Sequence, residues 1–392
     1  MAPDRAPGKV DAPRPRKGIY VHIPFCEKKC FYCDFYSLEN HSQRGAFIDA
    51  IVNEIRLFSV SHPRYEADTI FFGGGTPSLL TPAELERILN PIHDAFDVAS
   101  DAEFTMECNP GTIDTAFLSD YRALGANRLS FGVQSFFEDE LRFLERIHTA
   151  AEAVKAVDLA RKTGYENVNL DLIYALPGQT QDRLLTNLDK AVSLGTDHIS
   201  AYSLIVEPGT PLYAAVGKGE ITPAPESIEA GMYGTVMGFM ETHGYSHYEI
   251  SNYAKPGFEC RHNLKYWNAE EYAGFGPSAH SYIGGQRWWN VSSLTGYIAE
   301  LKTGRMPISA KESLTRTQML DEFVLLHLRQ GVLDMDTLRD RFGIALDATF
   351  ISDMLDSGYC EISGKSLHLT KKGFRVSDGI AETLLARHSL PA

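Results

Sequence analysis

The chain has no stretch of about 18 consecutive apolar residues, the length that a membrane-spanning helix needs. We therefore expect no integral membrane segment. Positive charge is also scarce, since 37 Lys and Arg stand against 51 Asp and Glu, for a formal net charge of −14 over 392 residues. Nucleic-acid-binding surfaces need an excess of basic residues, so nucleic acid is not an expected partner.

The first residues lack the apolar core of a secretory signal. Residues 1–17 are rich in Pro, Arg and Ala, and they contain Asp4 and Asp11, which are unusual in a mitochondrial transit peptide. We predict a disordered leader over 1–17. Cysteine is scarce as well, with six in the chain and three of them clustered. This usage indicates a metal centre in a reducing compartment rather than a disulfide scaffold, so we expect a cytoplasmic protein.

The clustered cysteines, Cys26, Cys30 and Cys33, are spaced CxxxCxxC. Cysteine thiolates hold iron–sulfur clusters, usually four to a cluster. Three close cysteines leave one iron open to a substrate or cofactor. A structural zinc site is the alternative, but it needs four ligands, usually in paired short spacings. The other cysteines form no such pair: Cys108, Cys260 and Cys360.

Short apolar runs alternate with segments of helical periodicity over the first half of the chain. The predicted strands are 18–23, 69–73, 103–107, 128–133, 168–174 and 198–206. The predicted helices are 43–58, 82–96, 115–124, 138–146, 150–163 and 181–194. This order is typical of an α/β protein with a parallel sheet, but six units are too few for a closed eight-stranded barrel. The pattern does not separate an open doubly wound sheet from a curved partial barrel; in both, ligands bind at the carboxyl ends of the strands.

The pattern changes after the sixth strand. We predict a helix at 227–243, a strand at 245–250 and a loop rich in Gly, His and aromatics over 251–290. The tail from 314 resembles a winged helix, with helices at 316–329, 335–342 and 348–357 and a hairpin at 359–369. Residues 315–392 carry 9 Lys and Arg against 11 Asp and Glu, so a lid or packing domain is favoured over DNA binding. The expected domains are 18–225, 226–313 and 314–392.

Polar residues and glycines lie at the ends of the predicted strands. Gly73-Gly74-Gly75 follows the second strand, and no Gly-Lys-Ser/Thr comes after it, so it is not a phosphate loop. Consecutive glycines let the backbone approach a ligand closely. Asp171 lies inside an otherwise apolar strand, where a carboxylate is costly unless it is paired or binds something. Both features predict ligand contacts at the carboxyl edge of the sheet.

The cysteine run, in the setting Tyr-Val-His-Ile-Pro-Phe-Cys, resembles the radical S-adenosylmethionine (SAM) enzymes. The resemblance implies a partial (β/α)6 TIM-type barrel. It also implies a [4Fe-4S] cluster on Cys26, Cys30 and Cys33, whose open iron is chelated by SAM. Reductive cleavage of SAM to a 5′-deoxyadenosyl radical would need an electron donor such as flavodoxin or ferredoxin. Neighbouring aromatics such as Tyr32 would shield the cluster from water.

Within that superfamily the chain is similar to the oxygen-independent coproporphyrinogen III oxidases. Their SAM-site pattern maps onto Tyr20, Gly74, Gly75, Thr76, Glu107, Gln134, Arg146 and Asp171. The number of SAM molecules bound stays open. The true oxidases carry a further cysteine two residues past the third, where this chain has Phe35 after Asp34.

The sequence Cys33-Asp34-Phe35 and the later motif His262-Asn263-x-x-Tyr266-Trp267 resemble the HemW family of heme chaperones. This resemblance implies that the protein binds heme and transfers it to an acceptor, such as a respiratory protein. It implies His262 as an axial heme ligand, with Cys260 and His280 as the next candidates; the alternative is that His262 is a hydrogen-bonded structural residue. A coproporphyrinogen oxidase, or another radical SAM catalyst such as a methyltransferase, is the alternative, so enzymatic activity stays open.

Overall fold

The computed structural model describes residues 16–388. The leader predicted over 1–17 lies outside the described residues except for Arg16 and Lys17, and Lys17 already belongs to the first strand. Six parallel strands pair in chain order: β1 (Lys17–Ile23), β2 (Tyr65–Gly74), β3 (Phe96–Cys108), β4 (Arg128–Gln134), β5 (Asn167–Tyr174) and β6 (His198–Ser203).

A helical segment follows each of the first five strands, and the helices cover the outer face of the sheet. They are α1 (Arg44–Ser61), α2 (Pro82–Ala95), α3 (Thr115–Ala123), α4 (Glu138–Phe143), α5 (Ala150–Lys162) and α6 (Gln181–Ser193). Capping boxes begin two of them, through Thr81 with Glu84 and Thr149 with Glu152. These local signals explain why the predicted starts of α2 and α5 agree with the structure.

The chain after β6 extends this sheet at both sides. Its elements are α7 (Pro211–Gly217), α8 (Glu226–Thr242), β7 (Ser246–Glu249), β8 (Asn252–Ala254), α9 (Arg261–Trp267), β9 (Tyr272–Phe275), β10 (His280–Ile283), β11 (Gln286–Asn290), α10 (Leu294–Lys302) and β12 (Ile308–Ser313). The prediction of a loop over 251–290 was therefore wrong. The four strands within 251–290, β8 to β11, are only three to five residues long, and they join the sheet because β8 pairs with β6 and β9 pairs with β1.

The resulting sheet has twelve strands in the order β12-β11-β10-β9-β1-β2-β3-β4-β5-β6-β8-β7. Among the described residues β12 and β7 are its edges, so the sheet does not close on itself. The α/β prediction with a partial barrel is confirmed. Over the same range, no helix has the combined length and apolar character needed to cross a membrane.

The C-terminal region forms a small, mostly helical unit with its own three-stranded sheet. Its elements are α11 (Arg316–Arg329), β13 (Val332–Asp334), α12 (Met335–Phe342), α13 (Ala348–Asp356), β14 (Cys360–Ser363), β15 (Ser366–Leu369), α14 (Lys371–Phe374) and α15 (Ser377–Arg387). The sheet order is β13-β15-β14, and Gly364 turns the hairpin with a φ of 59°. The predicted helices and hairpin are present, whereas β13, α14 and α15 were not predicted.

Candidate functional site

The three clustered cysteines lie in the loop that leads from β1 to α1. The base of this loop is closed by two backbone hydrogen bonds, from Cys26 N to Leu38 O at 3.0 Å and from Leu38 N to Pro24 O at 2.8 Å. A tight turn within the loop brings Cys33 N to 3.1 Å from Cys30 O. The local hydrogen bonding therefore folds the loop over the carboxyl ends of the parallel strands.

All three cysteines line one cavity of about 660 Å³, which we call the barrel cavity. Eight of the other predicted site residues line it too: Tyr32, Gly74, Gly75, Thr76, Glu107, Gln134, Arg146 and Asp171. The strands are parallel, so their carboxyl ends meet at one edge and bring these distant residues together. Tyr20 and His262 are not part of its lining.

Two sulfur atoms accept hydrogen bonds from residues of the loops that follow β2 and α4. Thr76 Oγ1 donates to Cys26 Sγ at 3.4 Å, and Arg146 Nη1 donates to Cys30 Sγ at 3.1 Å. Burial raises the pKa of Cys26, and it raises the pKa of Cys33 to about 11. Thiols in this setting keep their protons until a metal replaces them.

The arrangement of the three cysteines indicates which kind of metal site they can form. Within residues 16–388, no three His, Cys, Asp or Glu side chains converge closely enough to ligate a single metal ion. The cysteines line a shared space instead, which suits thiolates that each bind a different iron atom of one cluster. The residues present therefore fit an iron–sulfur cluster better than a mononuclear zinc site.

The glycine run after β2 packs directly against the cysteine loop. Gly75 N donates to Ile23 O at 2.8 Å, and Thr76 N donates to Phe25 O at 2.7 Å. A Cβ added at Gly75 would lie 2.7 Å from Phe25 O, which is a backbone atom that no rotamer change can move. Gly74 has a φ of 104°, in the region that only glycine adopts readily. Both glycines are therefore required for this close approach.

Two carboxylates face the barrel cavity from β3 and β5, the strands on either side of β4. Glu107 accepts from Gly74 N at 3.2 Å, and Asp171 accepts from Asn169 Nδ2 at 2.7 Å. Burial, and after it the negative charge of Asp171, raise the pKa of Glu107 to about 8. Burial also raises the pKa of Asp171. A cation that enters the cavity would be stabilised by these groups and would favour their ionised forms.

Sequence reasoning missed several polar residues of the cavity wall, among them Arg128, Ser130 and Asn169. Arg128 is 2% exposed, and its Nε has no hydrogen-bond partner among the described residues. Alternation along β4 and β5 was the available signal: Arg128 and Ser130 share one face of their strand, and Asn169 shares its face with Asp171. The buried guanidinium adds a positive group to the cavity beside the carboxylates.

Gln134 reaches the cavity through an unusual backbone conformation. Its φ is 69°, which few residues other than glycine adopt, and the register of β4 against β5 shifts between Gly132 and Gln134. Such strain persists where the surrounding structure enforces it, often at functional sites. The strand end therefore turns Gln134 toward the cavity.

His262 begins the motif on α9, and it is buried with 1% exposure. Its Nδ1 lies 2.8 Å from Thr69 Oγ1, and its Nε2 lies 2.8 Å from Tyr266 Oη. Burial lowers the pKa of His262 to about 3, so the ring is neutral at pH 7. An iron bond at either nitrogen would require one of these two hydrogen bonds to break.

A second cavity, of about 430 Å³, lies beside the first, and we call it the aromatic cavity. It is lined by Tyr20, His22, Asp34, Phe35, Tyr36, Tyr266, Tyr272, Ser278 and His280. Asp34, Phe35 and Tyr266 line both cavities. Tyr20 therefore lines the aromatic cavity and not the barrel cavity. Its hydroxyl lies 3.1 Å from His22 Nδ1.

Comparisons with known proteins agree with this architecture. Residues 20–191 match the radical SAM superfamily, and residues 314–376 match the HemN C-terminal domain. A solved structure of the coproporphyrinogen III oxidase HemN from Escherichia coli, described as a radical SAM enzyme, superposes with a TM-score of 0.81. That match has 24% identity and covers 96% of this chain and 91% of the other, so it shows the shared fold.

Curated relatives are more similar in sequence. The heme chaperone HemW of Bacillus subtilis (strain 168) is 38% identical over 363 residues, which are 91% of this chain and 96% of the relative. The heme chaperone HemW of Mycobacterium tuberculosis (strain CDC 1551 / Oshkosh) is 37% identical over 391 residues, which are 98% of this chain and 99% of the relative. On this similarity, which extends over nearly the whole chain, the protein belongs to the HemW family of the radical SAM superfamily.

Proposed function

We propose that this protein is a heme chaperone that holds a [4Fe-4S] cluster and SAM in the barrel cavity, binds heme and passes the heme to an acceptor protein. The observation that carries the proposal is the convergence of the cysteine loop, the glycine run and two buried carboxylates on one cavity. Membership of the HemW family supports the heme part of the proposal.

In this proposal Cys26, Cys30 and Cys33 hold the cluster. The hydrogen bonds from Thr76 and Arg146 to two of the sulfur atoms stabilise negative charge on the thiolates. A [4Fe-4S] cluster with SAM bound supplies one-electron chemistry. Tyr32 lies in the same cavity wall, where its ring keeps water away from the sulfur atoms.

SAM carries a cationic sulfonium and amino group and an anionic carboxylate, and the cavity offers partners for both. Glu107 and Asp171 suit the cationic groups. Arg146 and Arg128 suit the carboxylate, because the Nε of each is buried without a hydrogen-bond partner among the described residues. Gln134 and the backbone of Gly74–Gly75 supply neutral hydrogen-bonding groups.

The raised pKa of Glu107, about 8, predicts a pH-dependent affinity for SAM. The carboxyl group is mostly protonated at pH 7, and a cationic ligand favours its ionised form. SAM affinity should therefore rise as the pH increases from 7 toward 8 and level off above that value. Calorimetric titration of the cluster-loaded protein at several pH values measures this. Glu107→Gln should bind SAM more weakly and lose the pH dependence, whereas an unchanged profile in that variant would refute the assignment.

Product analysis distinguishes the heme chaperone function from coproporphyrinogen III oxidase activity. Anaerobic protein with cluster, SAM and a reductant is given coproporphyrinogen III, and the same preparation is titrated with hemin. We expect saturable heme binding and no protoporphyrinogen IX. Formation of protoporphyrinogen IX would contradict the chaperone proposal and favour the oxidase.

The proposal includes further partners and a location. The cluster would receive electrons from a flavodoxin or ferredoxin, and heme would go to an acceptor in the same compartment, which we take to be the cytoplasm. The sequence-based prediction of His262 as an axial ligand stays a prediction. For that role, its hydrogen bond to Thr69 or to Tyr266 would have to be replaced by a bond to iron.

A further inference from the structure

The aromatic cavity has the size and the aromatic lining of a small-molecule site. Its volume of about 430 Å³ lies within the usual range for small-molecule sites. Four of its residues are tyrosines: Tyr20, Tyr36, Tyr266 and Tyr272. Phe35 is 64% exposed, which is unusual for so large an apolar side chain, and it lies where the two cavities meet. Aromatic rings of this kind pack against the faces of a porphyrin.

Three histidines lie in or beside this cavity, and two of them are already engaged. His22 lies between Tyr20 Oη at 3.1 Å and Tyr36 O at 2.8 Å. His262 lies between Thr69 and Tyr266. His280 is exposed, and neither of its ring nitrogens has a hydrogen-bond partner within residues 16–388.

The ring of His280 is nevertheless held in place. His280 on β10 pairs with Trp289 on β11, and their rings stack with centroids 5.5 Å apart and planes inclined by 24°. A fixed imidazole with free nitrogens is the kind of axial ligand that heme proteins use.

We propose that heme binds in the aromatic cavity with its iron ligated by His280, and that His262 acts as a positioning residue. This inference rests on the proposed function. The hydrogen bond between His262 Nε2 and Tyr266 Oη holds the tyrosine ring in the wall that both cavities share. Heme in this position lies beside the cluster site and remains open to solvent at His280, which suits a protein that must release its heme.

The test is a set of single variants of the full-length, cluster-loaded protein, each titrated with hemin under anaerobic conditions. His280→Ala should lower heme affinity at least about tenfold and shift the Soret band. His280→Cys should give the spectrum of a thiolate-ligated heme, because the new side chain replaces imidazole on the iron. His93→Ala, which removes an exposed histidine at the end of α2, is the matched control and should behave as wild type. Cluster absorbance and thermal melting show that each variant is folded.

The outcomes separate this inference from the proposed function. Spectra of both His280 variants that equal the wild-type spectrum would overturn His280 as the ligand while heme binding itself stands. Loss of the wild-type spectrum in His262→Ala alone would also overturn His280 as the ligand, and it would assign His262 as the iron ligand. Wild-type protein that does not bind hemin saturably would overturn the heme chaperone proposal, and this inference with it.

Discussion

Single replacement of Cys26, Cys30 or Cys33 by alanine is expected to abolish the reconstituted iron–sulfur cluster. In the proposed site each thiolate would bind one iron of the cubane, and a site with only three protein ligands has no spare donor. The broad visible absorbance of the cluster, and bound iron and sulfide, should fall to background in each variant. Binding of SAM through the open iron should be lost with the cluster.

Two other cysteines provide the controls for this experiment. Cys108 is the stricter one, because it also lines the barrel cavity but is buried, and its Sγ lies 3.6 Å from Met106 O. Cys360 lies on β14 in the C-terminal unit, far along the sequence from the residues that line the cavity. Cys108→Ala and Cys360→Ala should keep their iron and sulfide. A variant of the cluster loop with full iron and sulfide would show that its cysteine is not a ligand.

The second large effect is expected from Gly75→Ala. The added methyl group would lie 2.7 Å from Phe25 O and 2.8 Å from Ile23 O, so the glycine run and the cysteine loop must separate. Overpacking of this kind costs about 1–3 kcal/mol, which corresponds to roughly fivefold to 150-fold in an equilibrium constant. SAM affinity, measured by calorimetry on cluster-loaded protein, should fall by about that factor.

Gly45→Ala is the matched control for this change. Gly45 lies in the first turn of α1, and a Cβ added there meets no atom within 4 Å. Alanine is favoured over glycine in a helix, so stability should be unchanged or slightly higher and SAM affinity should equal that of wild type. Equal SAM affinity in Gly75→Ala and Gly45→Ala would contradict the close contact that the structure describes.

Elements with strong local signals could be predicted from the sequence. The strand cores of β1, β4 and β5 are apolar runs, and α11 begins with a Thr315–Gln318 capping box, so its bounds agree with the prediction. The convergence of the cysteines with Glu107 and Asp171 could also be predicted from the sequence, because the carboxyl ends of parallel strands share one edge.

Features that depend on contacts distant in sequence could not be predicted. The short strands β8 and β9 are stable only because they pair with β6 and β1. The burial of His262 depends on Thr69, which is 193 residues away in the chain. The motif around His262 predicted a functional role that stays a prediction, and sequence alone could not show that both ring nitrogens are already hydrogen-bonded.

The measurement that tests the chaperone proposal most directly is heme transfer. Cluster-loaded protein saturated with heme is mixed with membranes from heme-starved cells, and the gain of heme by membrane apo-cytochromes is followed by difference spectroscopy. Heme bound to serum albumin at the same concentration is the comparison. We predict faster and more complete transfer from this protein than from albumin, with the protein returning to its heme-free spectrum. Transfer that is no faster than from albumin would contradict the proposed function.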